Sequence, residues 1–216
     1  MTHVKVQRKD VISDQEVEEE IKSAEKLAEF PRLRAKATVA FLETGKRRRE
    51  LVCLEHSDIT SDEIFLYVRF TVVKKRKKNV NVLQRVKKFR RDSKWARYIL
   101  EYLAWLKEKH PNCKYVYPRT KCLFGKIYIF DETQHAEGQE IWRIIKILNL
   151  NDWPHQHREK RAVKVIRMDE RKFGEAKLET IYRIRNVLDL EREQTAYNYI
   201  RRHETQKVEE EEEVLG

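Results

Sequence analysis

One β-rich stretch interrupts a chain whose other segments have helical periodicity. Ile64–Val73 (IFLYVRFTVV) is β-branched and aromatic, and Val80–Leu83 alternates in polarity. We predict a β-hairpin made of these two strands, with its turn at Lys74–Lys78. The 216 residues include only five glycines and four prolines, which favours helix over loop on both sides of the hairpin. The expected fold class is α+β, mainly α, with a small antiparallel β-sheet inserted between helices.

The expected helices have recognisable ends. Ser13 and Glu16 match a capping box at the start of the first helix, which Pro31 is expected to stop. A second helix should begin at about Arg32 and end where Gly45 fits a left-handed cap. Apolar residues at helical spacing predict five later helices, at about 93–110, 137–148, 157–172, 175–188 and 192–207.

The chain carries an excess of positive charge. It has 47 Lys and Arg against 36 Asp and Glu, for a formal net charge of +11. Glu209–Glu213 contributes five negative charges, so the remainder carries +16. A Lys- and Glu-rich composition is typical of thermophilic proteins, but that trend raises both signs of charge and does not produce the excess. Basic residues cluster at 74–78, 85–94 and 158–172, near aromatic side chains, which predicts a nucleic-acid-binding surface.

Several protein classes are disfavoured by features that the sequence lacks. No window approaches 18 uncharged apolar residues, and the first ten residues contain no apolar core of a secretory signal. Three cysteines, Cys53, Cys113 and Cys122, are odd in number and lack CxxC spacing. This argues against a disulfide framework and a structural zinc site. We therefore expect a cytoplasmic protein, associated with nucleic acid, with no membrane contact and no bound metal.

Three separated segments then occur in a characteristic order. They are Thr44–Leu51 (TGKRRREL) with Asp58-Ile59 downstream, His155–Arg158 (HQHR), and Thr195–Tyr199 (TAYNY). Together with the hairpin lysines between the first two, they resemble the motifs of the tyrosine recombinases, a phage-type integrase family that includes archaeal and viral integrases. The resemblance covers about residues 12–203.

The resemblance implies a domain organisation and an activity. Residues 12–205 would form the tyrosine-recombinase catalytic domain, 1–11 an amino-terminal extension, and 206–216 an acidic tail that is disordered or docks on a neighbouring protomer. The family comprises site-specific recombinases and integrases that cleave and rejoin double-stranded DNA through a covalent 3′-phosphotyrosine, without metal, ATP or another cofactor. By this resemblance we expect nucleoid-associated chains that assemble on DNA as a dimer or tetramer in the synapse.

The resemblance also implies which residues handle the phosphate. Arg47 and Arg158 would bind its non-bridging oxygens, because guanidinium groups bind oxyanions bidentately and stay charged at physiological pH. Negative charge builds on those oxygens in the transition state, so fixed cations lower the barrier. Lys74 would donate a proton to the leaving 5′-oxygen, and Lys75 is the alternative.

The resemblance also assigns the nucleophile and the residue that assists its proton transfer. Tyr199 would attack the phosphorus, with Tyr197 as the alternative, and His155 would assist proton transfer or orient the phosphate. A tyrosine with a free pKa near about 10 needs such help at neutral pH. The further residues expected to contact DNA are Lys75, Arg76, Lys77, Lys78, Lys87, Lys88, Arg90, Arg91 and Arg161.

The sequence also departs from the family pattern. His157 replaces the usual leucine of the second motif, Glu159 replaces a histidine after it, and Leu190 stands where a histidine or tryptophan usually precedes the tyrosine. Leu190 could be tolerated, or His157 or His203 could substitute for the missing histidine, or activity could be weakened. Two alternative functions therefore stay open: a catalytically degenerate DNA-binding relative, and a DNA-relaxing enzyme resembling type IB topoisomerases.

Overall fold

The structure is a computed structural model that describes residues 11–72, 84–123, 127–149, 152–176, 178–190 and 192–215. For residues 123, 127 and 205–215 it describes the backbone alone. The helices are α1 (Asp14–Ala24), α2 (Glu29–Leu42), α3 (Arg48–Val52), α4 (Lys94–Lys109), α5 (Gly138–Leu148), α6 (Pro154–Phe173), α7 (Leu178–Leu188) and α8 (Glu193–Leu215). The strands are β1 (Ile59–Ser61), β2 (Phe65–Thr71), β3 (Gln84–Arg90), β4 (Pro118–Leu123) and β5 (Ile127–His135). The predicted fold class, α+β and mainly α, is confirmed.

The larger apolar core lies in the first two thirds of the chain. Helices α1, α2, α4 and α5 surround it, and the antiparallel sheet β1–β2–β3 covers one side. Strand β2 is central and buries every second side chain, Leu66, Val68 and Phe70, as the two-residue period of a strand requires. Phe70 meets Phe41 of α2 edge to face, with ring centroids 6.2 Å apart. This contact fixes the sheet beside the end of α2, where the first motif begins.

A second, smaller core joins the last three helices. Ala162 and Ile166 of α6 pack with Ile184 of α7 and with Ala196 and Ile200 of α8. The first motif contributes Leu51 to the larger core, and the third contributes Ala196 and Tyr199 to the smaller one. The second motif lies on α6, which also carries Ala162 of the smaller core. The candidate site therefore lies where the two cores meet. No helix in the described ranges is both long enough and apolar enough to cross a membrane.

One predicted boundary in the first half was wrong, and one predicted strand lies outside the described residues. Pro31 does not stop a helix: it lies in the first turn of α2, where backbone N–H groups have no helical partner and the missing donor of proline costs nothing. The second hairpin strand is β3, which occupies the basic stretch Gln84–Arg90. The stretch predicted for it, Val80–Leu83, lies outside the described residues, as does the turn Lys74–Lys78.

Three further predictions need correction. The sequence predicted one small antiparallel sheet, whereas strands β4 and β5 pair into a second one. Helix α6 begins at Pro154, three residues before the predicted start, because proline suits the first helical position and Gln156 accepts a hydrogen bond from the backbone N–H of Trp153 (2.7 Å). The backbone of the acidic tail continues α8 as a helix to Leu215, which corrects the predicted disorder, while docking on a neighbouring protomer stays a prediction.

Candidate active site

Arg47 lies at the amino-terminal end of α3, directly after a tight turn. Gly45 in that turn has a φ of 78°, and a Cβ there would lie 2.8 Å from Leu188, so only glycine fits without strain. The buried carboxylate of Glu50 accepts hydrogen bonds from the backbone N–H of Arg47 (2.9 Å) and from its guanidinium (3.1 Å). The Arg47 side chain is 41% exposed. It is therefore held on one side and open to a ligand on the other.

Arg158 lies one turn after the start of α6 and is buried. Its guanidinium donates hydrogen bonds to the backbone carbonyls of Gly45 and Leu188, and so joins the turn before Arg47 to the end of α7. Burial and the nearby charge of Arg47 lower the pKa of Arg158, although a guanidinium remains protonated at physiological pH. The two arginines repel each other across the site. A bound anion would relieve that repulsion.

A buried ion pair supports the same junction. Lys46, which precedes Arg47, pairs with Asp189, and their side chains are 1% and 2% exposed. Arg85 of β3 approaches the other carboxylate oxygen of Asp189 at 3.1 Å. Asp189 has a φ of 52°, and it is the one residue other than glycine in the described ranges with a positive φ. Asp189 thus ties the first motif, strand β3 and the end of α7 together.

The structure distinguishes between the two candidate tyrosines of α8. Tyr199 is 7% exposed, whereas Tyr197 is 50% exposed. The Tyr199 side chain lies close enough to Arg158 and Arg47 to interact with the charges of both. Burial, followed by the negative charge of Glu159, raises the pKa of Tyr199, and the two arginines act in the opposite direction. Arg47, Arg158 and Tyr199, from three separate helices, are therefore brought together.

Glu159 is a buried carboxylate at the centre of a bridge between α6 and α8. Its Oε1 accepts from Nε2 of His155 at 2.8 Å and from a terminal guanidinium nitrogen of Arg202 at 3.2 Å. The Glu159 side chain is 6% exposed, and both of its partners lie at the surface. His155, the predicted helper, is thus placed one helical turn before Glu159 and is open to solvent on its other side.

Lys87 of β3 points toward the same junction. It is half-buried, and its Nζ donates to the backbone carbonyl of Val187 at 2.9 Å. Burial, then the charge of Lys46, lowers the pKa of Lys87 to about 8, with Arg161 and Arg158 contributing to the decrease and Asp189 opposing it. A lysine that is close to losing its proton at neutral pH is suited to proton transfer.

His157 and His203 already have partners. His157 is fully buried between two carboxylates, with Nε2 3.2 Å from Glu20 and Nδ1 3.1 Å from Glu43. His203 Nε2 lies 3.3 Å from Glu170 of α6. Both histidines therefore join helices in this structure. Leu190, at the position of the missing histidine, packs into the second core.

The predicted DNA-contacting residues fall into two groups. Lys74 and its neighbours Lys75, Arg76, Lys77 and Lys78 lie outside the described residues, so the structure gives no position for the predicted general acid. Of the remaining ones, Lys88, Arg90, Arg91 and Arg161 are exposed, and Lys87 is half-buried. Lys88 lies over the rings of Phe65 and Tyr67 of the neighbouring strand, at 5.7 and 5.4 Å. Strand β3 thus presents positive charge to solvent.

The sequence analysis gave no place in the site's geometry to four residues that shape it: Lys46, Lys87, Glu159 and Asp189. It named Lys87 only as a DNA contact. The first two were hidden among neighbouring basic residues. Glu159 was noted only as a departure from the family pattern. Asp189 carried a weak signal, since an aspartate between two leucines is unusual inside a predicted core. In the described part of the chain, no group of three or more His, Cys, Asp and Glu side chains could hold a metal ion, and the cysteines are free.

Comparison with known proteins supports the fold. No protein-family model matches the chain, and no curated protein matches it at a significant level. Among solved structures, it is similar to the XerH site-specific recombinase bound to difH substrate in a pre-cleavage complex, with a TM-score of 0.54 and 16% identity over 88% of this chain and 50% of that one. The post-cleavage complex of the same recombinase with palindromic difH substrate gives a TM-score of 0.57 and 16% identity, over 97% of this chain and 54% of that one. This chain therefore spans about half the length of the chains that it matches.

These similarities concern fold and not identity of sequence. The mainly helical arrangement with small antiparallel sheets is shared with the recombinase structures over nearly all of this chain. The fold is that of a tyrosine-recombinase catalytic domain.

Proposed function

We propose that the chain is a site-specific DNA recombinase that cleaves and rejoins double-stranded DNA through a covalent 3′-phosphotyrosine. One observation carries the proposal: Arg47, Arg158 and Tyr199 come from three helices and meet at one junction. Two guanidiniums beside a buried phenol form a site for an oxyanion next to a nucleophile. The resemblance to recombinase–DNA complexes supports the same assignment.

The reaction needs two proton transfers and no redox partner. The Tyr199 oxygen attacks the phosphorus and loses its proton to His155, the proposed base. The bond between phosphorus and the 5′-oxygen breaks, and a lysine protonates the leaving oxygen. In the second half, a 5′-hydroxyl gives its proton to the lysine and attacks the phosphorus, the bond between phosphorus and the Tyr199 oxygen breaks, and His155 returns a proton to the tyrosine. Arg47 and Arg158 neutralise the charge on the non-bridging oxygens in both steps.

Two lysines are candidates for the proton donor. Lys74 is the residue that the motif match favours. Lys87 is supported by its own chemistry, since its pKa of about 8 lies near neutrality and its position is close to the charge of Arg158. Replacing each by arginine keeps the positive charge but removes a transferable proton. Replacing the true donor should slow cleavage of an ordinary substrate. A substrate with a better leaving group at the 5′ position needs no proton donor, so the same replacement should leave its cleavage unchanged.

The positive surface of β3 gives the proposed enzyme a way to bind its substrate. Lys88 and Arg90 are exposed on the face of β3 that points away from Lys87 and α7, whereas Arg161 is exposed beside Gly45, and we propose that all three contact DNA phosphates. Because such contacts release counterions, affinity for DNA should fall steeply with salt. We further propose that chains assemble on DNA as a dimer or tetramer, as pairwise strand exchange requires.

The test is covalent capture of DNA. A pool of random duplexes is incubated with the protein, denatured, and the protein-linked strands are recovered and sequenced. We expect adducts joined at a 3′-phosphate, enriched in one sequence, that disappear in Tyr199→Phe. Tyr197→Phe is the matched control, because it removes a hydroxyl two residues away on the exposed side. An adduct that persists in Tyr199→Phe and vanishes in Tyr197→Phe would show that Tyr197 is the nucleophile.

A second candidate function has its own support. Leu190 is buried in the core where the family usually places a histidine or tryptophan, which favours a DNA-binding relative with a degenerate site. DNA binding without any adduct, unaffected by Arg47→Ala, would establish that reading. Relaxation of supercoiled plasmids without sequence preference would instead indicate topoisomerase-like activity.

A further inference from the structure

The carboxylate of Glu159 occupies a position that the reaction scheme above does not use. It lies on α6 directly after Arg158, and it is buried although its two hydrogen-bonding partners are exposed. A buried carboxylate is costly unless charged donors satisfy it. His155 and Arg202 supply those donors, one from its own helix and one from the tyrosine helix.

The bridge reaches the nucleophile through Arg202. Tyr199 and Arg202 are three residues apart on α8 and so lie on one face, about one turn from each other. The ion pair between Glu159 and Arg202 therefore fixes α8 against α6 close to the point where Tyr199 meets Arg158. A loosened α8 would let the tyrosine oxygen move relative to the phosphate.

The second arm of the bridge acts on His155. The contact at Nε2 with a carboxylate favours a proton on that nitrogen, so the neutral ring carries its lone pair on Nδ1. One carboxylate thus sets both the tautomer of the proposed base and the position of the proposed nucleophile.

We propose that Glu159 is a positioning residue of this active site, which holds the tyrosine helix through Arg202 and orients His155. The inference rests on the proposed phosphotyrosine chemistry and assigns a role to a residue that the family motifs leave unexplained. Glu159 acts through its two partners. The groups that face Tyr199 are Arg158 and Glu159 from α6 and Arg47 from α3.

The chain offers a matched control for this bridge. Glu170, farther along α6, pairs with His203 of α8 at 3.3 Å, and so also links the two helices. It lies 11 residues after Glu159, about 16 Å along the helix axis. Glu159→Ala and Glu170→Ala each remove one link between the same two helices, but only the first removes a carboxylate that acts on Tyr199 itself.

The first measurement is the rate of covalent adduct formation. Misplacing a reacting group by about 1 Å costs about 100-fold in rate, so we expect that loss in Glu159→Ala. Glu170→Ala should slow the reaction by less than about fivefold, as expected for a partly exposed ion pair. Glu159→Gln keeps the shape and an acceptor oxygen, and should recover much of the rate. The double variant Glu159→Ala/Arg202→Ala should be no slower than Glu159→Ala, whereas additive losses would show that the two residues act separately and would overturn the bridge.

The second measurement needs no DNA, so it separates failure of the bridge from failure of the proposed function. Tyrosinate absorbance is followed against pH, and the titration of Tyr199 is isolated by subtracting that of a Tyr199→Phe protein, with circular dichroism at each pH. Removing the bridge exposes Tyr199 and deletes a neighbouring negative charge, so its pKa should fall in Glu159→Ala and stay unchanged in Glu170→Ala. If Glu159→Ala leaves the Tyr199 titration where it is in the parent protein, Glu159 does not hold the tyrosine and the proposal is wrong. If the pKa of Tyr199 also falls in Arg202→Ala, which keeps the carboxylate and deletes only a positive charge, but no protein forms an adduct, the bridge stands and the recombinase function fails.

Discussion

Replacing Asp189 by asparagine should destabilise the protein more than any other single amide substitution at the site. Asparagine tolerates the left-handed backbone at φ 52°, so the change removes charge and little else. It leaves Lys46 with a side chain 1% exposed and no counter-charge. Removing one partner of a buried ion pair costs about 3–5 kcal/mol, because the remaining ion is neither solvated nor paired. The positive charge already gathered there by Arg158 and Lys87 adds to that cost.

The assay is urea unfolding followed by circular dichroism. A loss of about 3–5 kcal/mol, with a urea slope of about 2–3 kcal/mol/M, should lower the midpoint by about 1–2 M. Asp169→Asn is the matched control: Asp169 is also buried, but its partner Arg183 is 46% exposed and can turn to water. The double variant Lys46→Met/Asp189→Asn should be more stable than Asp189→Asn alone, because no ion is then stranded. A loss below about 1 kcal/mol for Asp189→Asn would refute this account of the pair. A double variant whose loss in the free energy of unfolding equals the sum of the losses of the two single variants would refute it as well.

Three further outcomes follow from the structure. Burial alone would lower the pKa of His157, but Glu20 and Glu43 raise it to about 9. The stabilisation from protonated His157 should therefore be complete below about pH 6.5 and disappear as the pH rises through 9, a loss of about 3 kcal/mol in the free energy of unfolding. Unfolding of His157→Gln, measured across the same pH range, should lack this loss. Gly45→Ala would place a Cβ 2.8 Å from Leu188 at a φ of 78°. Thermal unfolding should therefore show a destabilisation of about 1–3 kcal/mol, and adduct formation should slow. An unchanged melting temperature would contradict the geometry. Deleting residues 209–216 removes five negative charges and raises the formal net charge from +11 to +16. DNA should then bind more tightly at low salt, and the difference in affinity should shrink as salt is added. Equal affinity at low salt would argue that the acidic tail does not compete with DNA for the positive surface.

Local chemistry made much of the fold predictable. The capping box of Ser13 and Glu16 is present at α1, and the left-handed Gly45 follows α2, because both depend on neighbours only a few residues away. The hairpin strand β2 was recognisable from its β-branched and aromatic side chains. The strand β3 was missed because its basic residues obscured the apolar Phe89, which packs inward opposite Leu66.

The candidate site was predictable in its residue types but not in its arrangement. Motif order named Arg47, Arg158 and both tyrosines, yet spacing alone could not separate Tyr197 from Tyr199, since each lies on a helix. The bridge through Glu159 was equally hidden. It joins residues 43 positions apart, and no local pattern reports such a pairing.

The sequence by itself therefore determined the helical framework, the positive charge and the set of reactive groups, because these follow from composition and short-range periodicity. Tertiary packing decided which of those groups share one environment. Burial of Tyr199 beside Arg158, the decreased pKa of Lys87 and the pairing of Lys46 with Asp189 all require segments far apart in the chain to meet. Desolvation and charge–charge interactions act over a few ångströms in space, whatever the separation in sequence, and for that reason only the folded structure could assign them.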